Sequence, residues 1–246
     1  MKWIGYLLSS LWRIWFLIVF ILVFIAFIPA LFFFTAIYKN NKIVCHLARY
    51  WSKLTLFFSF IYPKIEWEGK LDKKGHYIFC PNHVSTLDIP FILAIIPVPL
   101  QFMGKAEIAK LPLFGYFFKN NAVIVDRKNK RDAYAAFLKA GKKLTNGLSM
   151  CFFPEGGIPK QDVFLKQFKN GPFRLAVEQN IKIVPITMPD NKYMFPQEYF
   201  KGRPGIARVK VHKAIEANSL VEKSIEKLNT SVYNTIFDQL NIYGGK

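Results

Sequence analysis

His76-Tyr77-Ile78-Phe79-Cys80-Pro81-Asn82-His83-Val84-Ser85-Thr86-Leu87-Asp88 is the stretch on which the reading of this chain turns. Tyr77 to Cys80 is short, aromatic and apolar, the composition of a buried strand, while Thr86 to Ile96 predicts a helix. Pro81 and Asn82 mark the turn between them. A helix starting at Ser85 or Thr86 puts Asp88 in its first turn, where the carboxylate can fold back on the His83 imidazole and fix its tautomer. That pair would make a general base for a hydroxyl. Ser85-x-x-Asp88 also resembles a capping box, with the acid at the favourable end of the helix dipole, so the motif alone leaves both readings open. Ser85 is poorly suited as a nucleophile, being two residues from His83 and lacking the Gly-x-Ser-x-Gly elbow.

Outward from this stretch, short apolar runs alternate with amphipathic ones, which predicts an α/β domain with a mixed central sheet flanked by helices. Strands are expected at Ile65 to Glu68, Tyr77 to Cys80, Leu100 to Met103, Ala122 to Val125, Met150 to Phe153, Ile181 to Thr187 and Ala207 to His212. Further helices are expected at Arg131 to Thr145, Phe168 to Gln179 and Ser219 to Ile242. The last is capped by Asn218-Ser219 and carries a packing stripe of Leu220, Ile225, Leu228, Val232, Ile236 and Leu240.

The amino-terminal residues are different in kind. Ile14 to Ile37 is a run of 24 residues without a charge, about 36 Å long as a helix and sufficient to cross a bilayer core. It exceeds the usual core of a cleaved signal peptide, and no small-residue cleavage site precedes Tyr38-Lys39-Asn40-Asn41-Lys42, so it reads as retained. Ile43 to Tyr62 mixes Arg49 and Lys53 with Trp51, Phe57, Phe58 and Phe60, which suits an interfacial helix. Residues 1–62 thus predict a membrane-embedded helical hairpin and residues 63–246 the domain it anchors, with the boundary near Pro63. Pro29 permits a kink, and hydropathy does not distinguish a spanning helix from one that enters and returns.

The formal net charge is +18, yet only Lys2 and Arg13 are charged before Tyr38. A basic domain beside an apolar helix points to anionic membrane lipids as partner, with the domain on the cytoplasmic face. Nucleic acid is disfavoured, since there is no zinc-finger spacing, RNP-type sequence or long basic helix. Cys45, Cys80 and Cys151 are far apart and read as free thiols, and the histidines at 46, 76, 83 and 212 are scattered, so neither a metal site nor a cofactor is expected.

Three more segments fall at or just beyond predicted strand ends, where ligands collect in open α/β folds. Lys105 follows one strand and is a candidate phosphate contact. Val125-Asp126-Arg127 ends another, its guanidinium suited to a phosphate or to a surface pair with Asp126. Phe153-Pro154-Glu155-Gly156-Gly157 ends a third, the glycines permitting a tight turn or a close ligand approach, and the carboxylate orienting polar groups.

In order and spacing these segments resemble the glycerophospholipid acyltransferase family over about two-thirds of the chain. Asn82-His83-Val84-Ser85-Thr86-Leu87-Asp88 is similar to its Asn-His-x-Ser-x-x-Asp block, Val125-Asp126-Arg127 to its second and Phe153-Pro154-Glu155-Gly156 to its third. Phe168-Lys169-Asn170-Gly171, with Ile183-Val184-Pro185-Ile186, resembles its fourth. The resemblance implies His83 as general base and Asp88 as its partner, with Ser85, Lys105, Arg127, Glu155 and Gly156 toward the substrate. It implies transfer from an acyl-CoA or acyl-carrier-protein donor to the sn-2 hydroxyl of 1-acyl-glycerol-3-phosphate, a lysophospholipid acceptor, forming phosphatidic acid at a bacterial inner membrane. One departure stands out: the third block of the family usually continues Gly-Thr-Arg-Ser, and here it reads Gly156-Gly157-Ile158-Pro159. The missing arginine opens an acceptor with an amino-acid or zwitterionic headgroup, with Lys160, Lys166 or Arg174 as compensating charge. A non-catalytic lipid-binding protein would need the basic surface but not the His/Asp spacing.

Overall fold

The computed structural model describes residues 2–110, 113–126, 129–160, 163–217 and 224–244. Its strands are β1 (Ile61–Trp67), β2 (Ile78–Pro81), β3 (Leu100–Lys105), β4 (Val123–Val125), β5 (Ser149–Cys151), β6 (Ile183–Thr187) and β7 (Gly205–Val211). Its helices are α1 (Lys2–Phe32), α2 (Asn41–Phe58), α3 (Asp88–Ile95), α4 (Phe114–Asn121), α5 (Lys130–Thr145), α6 (Gly171–Gln179), α7 (Asn191–Met194) and α8 (Ser224–Ile242).

The strands form one sheet in the order β1-β7-β6-β2-β5-β3-β4, parallel except where β7 runs against β6. This is the mixed α/β sheet expected. All residues of β2, β5 and β6 are buried, as in a parallel sheet covered on both faces. Pairing alternates with the pleat. Phe79, Val184 and Ile186 face a core with Phe91, Ile92 and Ile95 of α3, while Ile78, Met150 and Ile183 face one with Phe173 and Leu175 of α6 and Val232 and Ile236 of α8. Pro63 sits in β1, which pairs with β7 alone; at an edge its missing N–H costs no ladder bond.

The helix expected from Thr86 begins at Asp88, because Ser85 first closes a turn: its carbonyl accepts the Asp88 N–H (3.1 Å) and its hydroxyl the Leu87 N–H (3.1 Å). Similarly, α6 starts at Gly171 rather than Phe168, with Pro172 at its first turn, and ends on Asn180 in the left-handed region. The Asn218-Ser219 cap and Leu220 lie outside the described residues; from Ser224 onward the stripe Leu228, Val232, Ile236 and Leu240 is buried.

Helix α1 passes through Pro29 and continues as a π-helical turn, Phe33–Ile37, before the chain reverses into α2, capped by the Asn40 side chain on the Lys42 and Ile43 N–H groups. Trp3–Ile37 is long and apolar enough to cross a membrane by length and composition. One stripe, Trp12, Phe16, Val19, Phe24 and Leu31, is buried, whereas Ile4, Leu7, Leu11, Ile18, Leu22 and Ile25 stand exposed around it. Arg13 sits 4.2 Å above the Phe195 ring and donates to the backbone carbonyls of Glu198 and Lys201. The indoles of Trp12 and Trp15 donate to the Ser59 and Phe58 carbonyls at the end of α2 (3.0 and 2.8 Å). The first four turns of α1 thus hold the segment after β6 and the end of α2, and further along Phe20 and Phe24 pack on Phe114 and Phe117 of α4. Replacing buried Phe16, whose ring lies 4.8 Å from Phe195, with Ala should cost about 3–4 kcal/mol, read as a lower melting temperature in detergent together with faster proteolysis of α1.

Candidate active site

Strand β2 is the middle of the sheet and its point of reversal. The chain leaves it toward β3 on one side, while β6 flanks it on the other, which opens a crevice beyond its carboxyl end. Asn82, fully buried there, acts as one more rung. Its amide donates to the Met188 carbonyl (3.0 Å) and accepts the Met188 N–H (2.7 Å), tying the end of β2 to the end of β6.

His83 follows, and three contacts fix it. Its Nδ1 lies 2.9 Å from Oδ2 of Asp88; its ring stacks on Phe153 with centroids 3.9 Å apart and planes at 18°; its backbone N–H donates to Oε1 of Glu155 at 2.6 Å. Because a carboxylate offers only acceptors, the neutral imidazole carries its hydrogen on Nδ1 and presents a lone pair at Nε2. The side chain is 13% exposed, enough to meet a substrate.

Asp88 is completely buried and takes four N–H bonds. Oδ2 accepts from His83, from Val84 N–H (2.7 Å) and from Ser85 N–H (2.9 Å), and Oδ1 accepts from the Asn191 amide (2.8 Å). The carboxylate that meets the imidazole also ties down the loop N–H groups ahead of α3, whose own N-cap, Leu87, has no side-chain cap bond. The Ser85 hydroxyl donates to the Phe195 carbonyl at 2.5 Å and is buried.

Glu155 lies in the turn after β5, closed by Gly156 N–H to the Phe153 carbonyl (3.0 Å), with Gly156 at φ +77, a conformation that favours glycine. The carboxyl group is buried, accepting from the backbone of His83 through one oxygen and from Lys166 N–H through the other (3.2 Å). Burial, reinforced by nearby Asp88 and opposed by those two backbone bonds, pushes its pKa up from 4.5 to about 7. The Cys151 thiol is fully buried and pushed well above its ordinary value by that burial, which argues against a carrier of acyl groups.

Lys105 closes β3 opposite Val125, and Arg127 lies outside the described residues. Of the compensating cations, Lys160 lines a cleft beside the motif, Lys166 meets Glu155 through its backbone, and Arg174 is exposed on α6, paired with Glu178 at 2.7 Å. The cleft, about 500 Å³, adjoins Asn82 and Val84 and also holds Lys192, Arg203 and Arg208, the last bound bidentately to Asp190 (2.8 and 2.7 Å). Thr86 and Leu87 of the same motif border an apolar groove of about 380 Å³ between the hairpin and α3, walled by Phe20, Trp51, Leu93, Phe102 and Phe114. Sequence reading missed Asn191 and Phe195. Both follow the end of β6, which is the available signal, but they lie more than a hundred residues from the side chains they support.

The Acyltransferase family profile matches residues 64–189. A Caenorhabditis elegans protein provisionally named a 1-acyl-sn-glycerol-3-phosphate acyltransferase is 30% identical over 196 residues, covering 78% of this chain and 67% of its own. The 1-acyl-sn-glycerol-3-phosphate acyltransferases of Saccharomyces cerevisiae and Borreliella burgdorferi are 27% and 24% identical, covering 74% and 76% of this chain and 60% and 75% of theirs. The crystal structure of the Thermotoga maritima 1-acyl-sn-glycerophosphate acyltransferase has the same fold, with a TM-score of 0.78 at 22% identity over 100% of this chain and 99% of that one.

A carboxyl group whose folded pKa is raised favours the native state most below its unfolded pKa, and this contribution disappears as pH climbs through the folded value. For Glu155 the window runs from 4.5 to about 7. Denaturation at pH 5 and pH 8 should therefore show stability falling by up to about 3 kcal/mol from this group, and Glu155→Gln should flatten that fall. Equal pH slopes in the two proteins would refute the assignment.

Proposed function

This chain belongs to the Acyltransferase family, and from that premise we propose that it moves an acyl chain from a thioester donor to the sn-2 hydroxyl of 1-acyl-glycerol-3-phosphate, making phosphatidic acid at a membrane surface. The observation that carries the reading is the His83–Asp88 pair at 2.9 Å, whose motif neighbours line a cationic cleft (Asn82, Val84) and an apolar groove (Thr86, Leu87).

In this mechanism Nε2 of His83 takes the proton of the acceptor hydroxyl as its oxygen bonds to the thioester carbonyl carbon. The tetrahedral intermediate collapses, the C–S bond breaks, and the imidazolium returns the proton to the departing thiolate. Asp88 holds the ring and balances its charge while it is protonated. Glu155 acts through the backbone of His83 and Phe153 through its ring, both as positioning residues. The acyl chain lies in the apolar groove, where Phe and Leu walls replace lipid. Lys105, Arg127, Gly156 and the cleft cations Lys160, Lys192 and Arg203 serve the phosphate side, the last three replacing the arginine missing after Gly156.

Residues 1–62 are the anchor and residues 63–246 the catalytic domain, held on the cytoplasmic face by positive charge. Acyl-CoA and acyl-carrier protein both fit this chemistry as donor. Gly157-Ile158-Pro159 favours a second reading, in which the acceptor carries an amino-acid or zwitterionic headgroup. Rates with lysophosphatidic acid and with zwitterionic lysolipids separate the two, a strong preference for the latter overturning the first.

His83→Ala should reduce turnover to background while the protein stays folded and sediments with membranes; retained turnover would remove His83 from the mechanism. Ala48 lines the groove from α2. Ala48→Trp should depress rates with long-chain thioesters about tenfold or more and spare short ones, a shift measured by comparing kcat/KM across chain lengths.

A further inference from the structure

At the opposite end of the sheet from His83, the first residues of β4 (Val123 and Ile124) and Leu148, just before β5, floor a second cleft of about 530 Å³. Its walls come from the hairpin turn, the end of α4 and the last turns of α5, and they supply six lysines: Lys39, Lys42, Lys119, Lys139, Lys142 and Lys143. Four asparagines, Asn40, Asn41, Asn120 and Asn146, complete the polar lining, and no carboxylate contributes to it. Among the described residues none of these lysines makes an ion pair. Lysine at a helix carboxyl end is ordinary compensation for the dipole, which accounts for Lys119, Lys142 and Lys143 singly. It does not account for the hairpin turn converging on them.

Lys39 holds a left-handed conformation, φ +50, where glycine or asparagine would be cheaper. Lys42 reaches across to α5, its ammonium 3.8 Å from where a side chain on Gly147 would begin. Lys143 is half-buried, and burial lowers its pKa. Six like charges around one concavity repel one another, and a bound multivalent anion relieves that. Immediately before Lys39 the chain exposes Phe33, Ile37 and Tyr38 at 46%, 64% and 61%, the apolar end of the anchor.

We propose that this lysine cleft is a second phosphate site, separate from the catalytic centre, which takes the headgroup of an anionic phospholipid from the leaflet that receives the hairpin. The phosphate chemistry follows from the cleft; the lipid as its source rests on reading residues 1–62 as the membrane anchor. Such a site would fix the depth and azimuth of the domain against the headgroups while the groove admits acyl chains.

The test uses the full chain in neutral detergent micelles, titrated with dihexanoyl phosphatidylglycerol, which is neither acceptor nor product of the proposed reaction. Wild type and His83→Ala should bind it saturably and alike. Lys42→Gln/Lys142→Gln/Lys143→Gln should weaken binding by about a hundredfold, at roughly fivefold per lysine. Should that variant misfold, Lys39→Gln/Lys119→Gln carries the same test, with a loss of about twentyfold. Equal binding by a folded variant and wild type, or equal binding of dihexanoyl phosphatidylcholine, overturns the site. Inorganic phosphate displacing the lipid at matched concentration overturns the lipid as ligand. Flotation of wild type with pure phosphatidylcholine vesicles tests the anchor independently, because neutral vesicles offer the cleft no anion, and the cleft variants should float with it.

Discussion

The carboxylate of Asp88 is the constraint on which the rest of this structure depends. Buried without solvent, it gathers N–H groups from His83, Val84, Ser85 and Asn191, and so fixes the motif loop, the start of α3 and the segment after β6 at one point. A buried carboxylate is tolerable because both of its oxygens accept hydrogen bonds, four in all. The imidazole orientation is then a by-product of the same bonds that fix the loop leading into α3.

A second buried carboxyl group, Glu155, does for the main chain at His83 what Asp88 does for the ring. The two acids reach the histidine from different strands, β2 with its helix and β5 with its turn, so imidazole placement depends on the pairing between those strands. Phe153 closes the third side. A histidine held at its backbone, its ring face and one nitrogen has only its second nitrogen left to offer, and that is the useful outcome for a base.

Much of this was legible in the sequence where local and global preferences agree. The buried strands β2, β5 and β6 are apolar on both faces, and the His83/Asp88 spacing implied a fold-back that local geometry can deliver. Helix α4 was not legible, because Phe114-Gly115-Tyr116-Phe117 with two terminal asparagines has weak helical preference; packing supplies it, with Phe118 set so close over Gly104 that a Cβ there would lie 2.1 Å from the ring. Nor could spacing reveal Asn191, Phe195 or the cationic cleft, since each arises from β6 returning beside β2. The hairpin's charge-free run announced an apolar helix, but not that Trp12, Phe16 and Arg13 dock it onto the loop after β6.

That docking has a mechanical corollary. Phe195 is gripped on one side by Arg13 and Phe16 from the apolar helix and on the other by the Ser85 hydroxyl, one turn from Asp88. The helix is therefore a strut of the motif loop, and trimming it away would remove a wall from that loop. A tilt of that strut is then felt, through Phe195 and the Ser85 hydroxyl, by the segment that carries the imidazole.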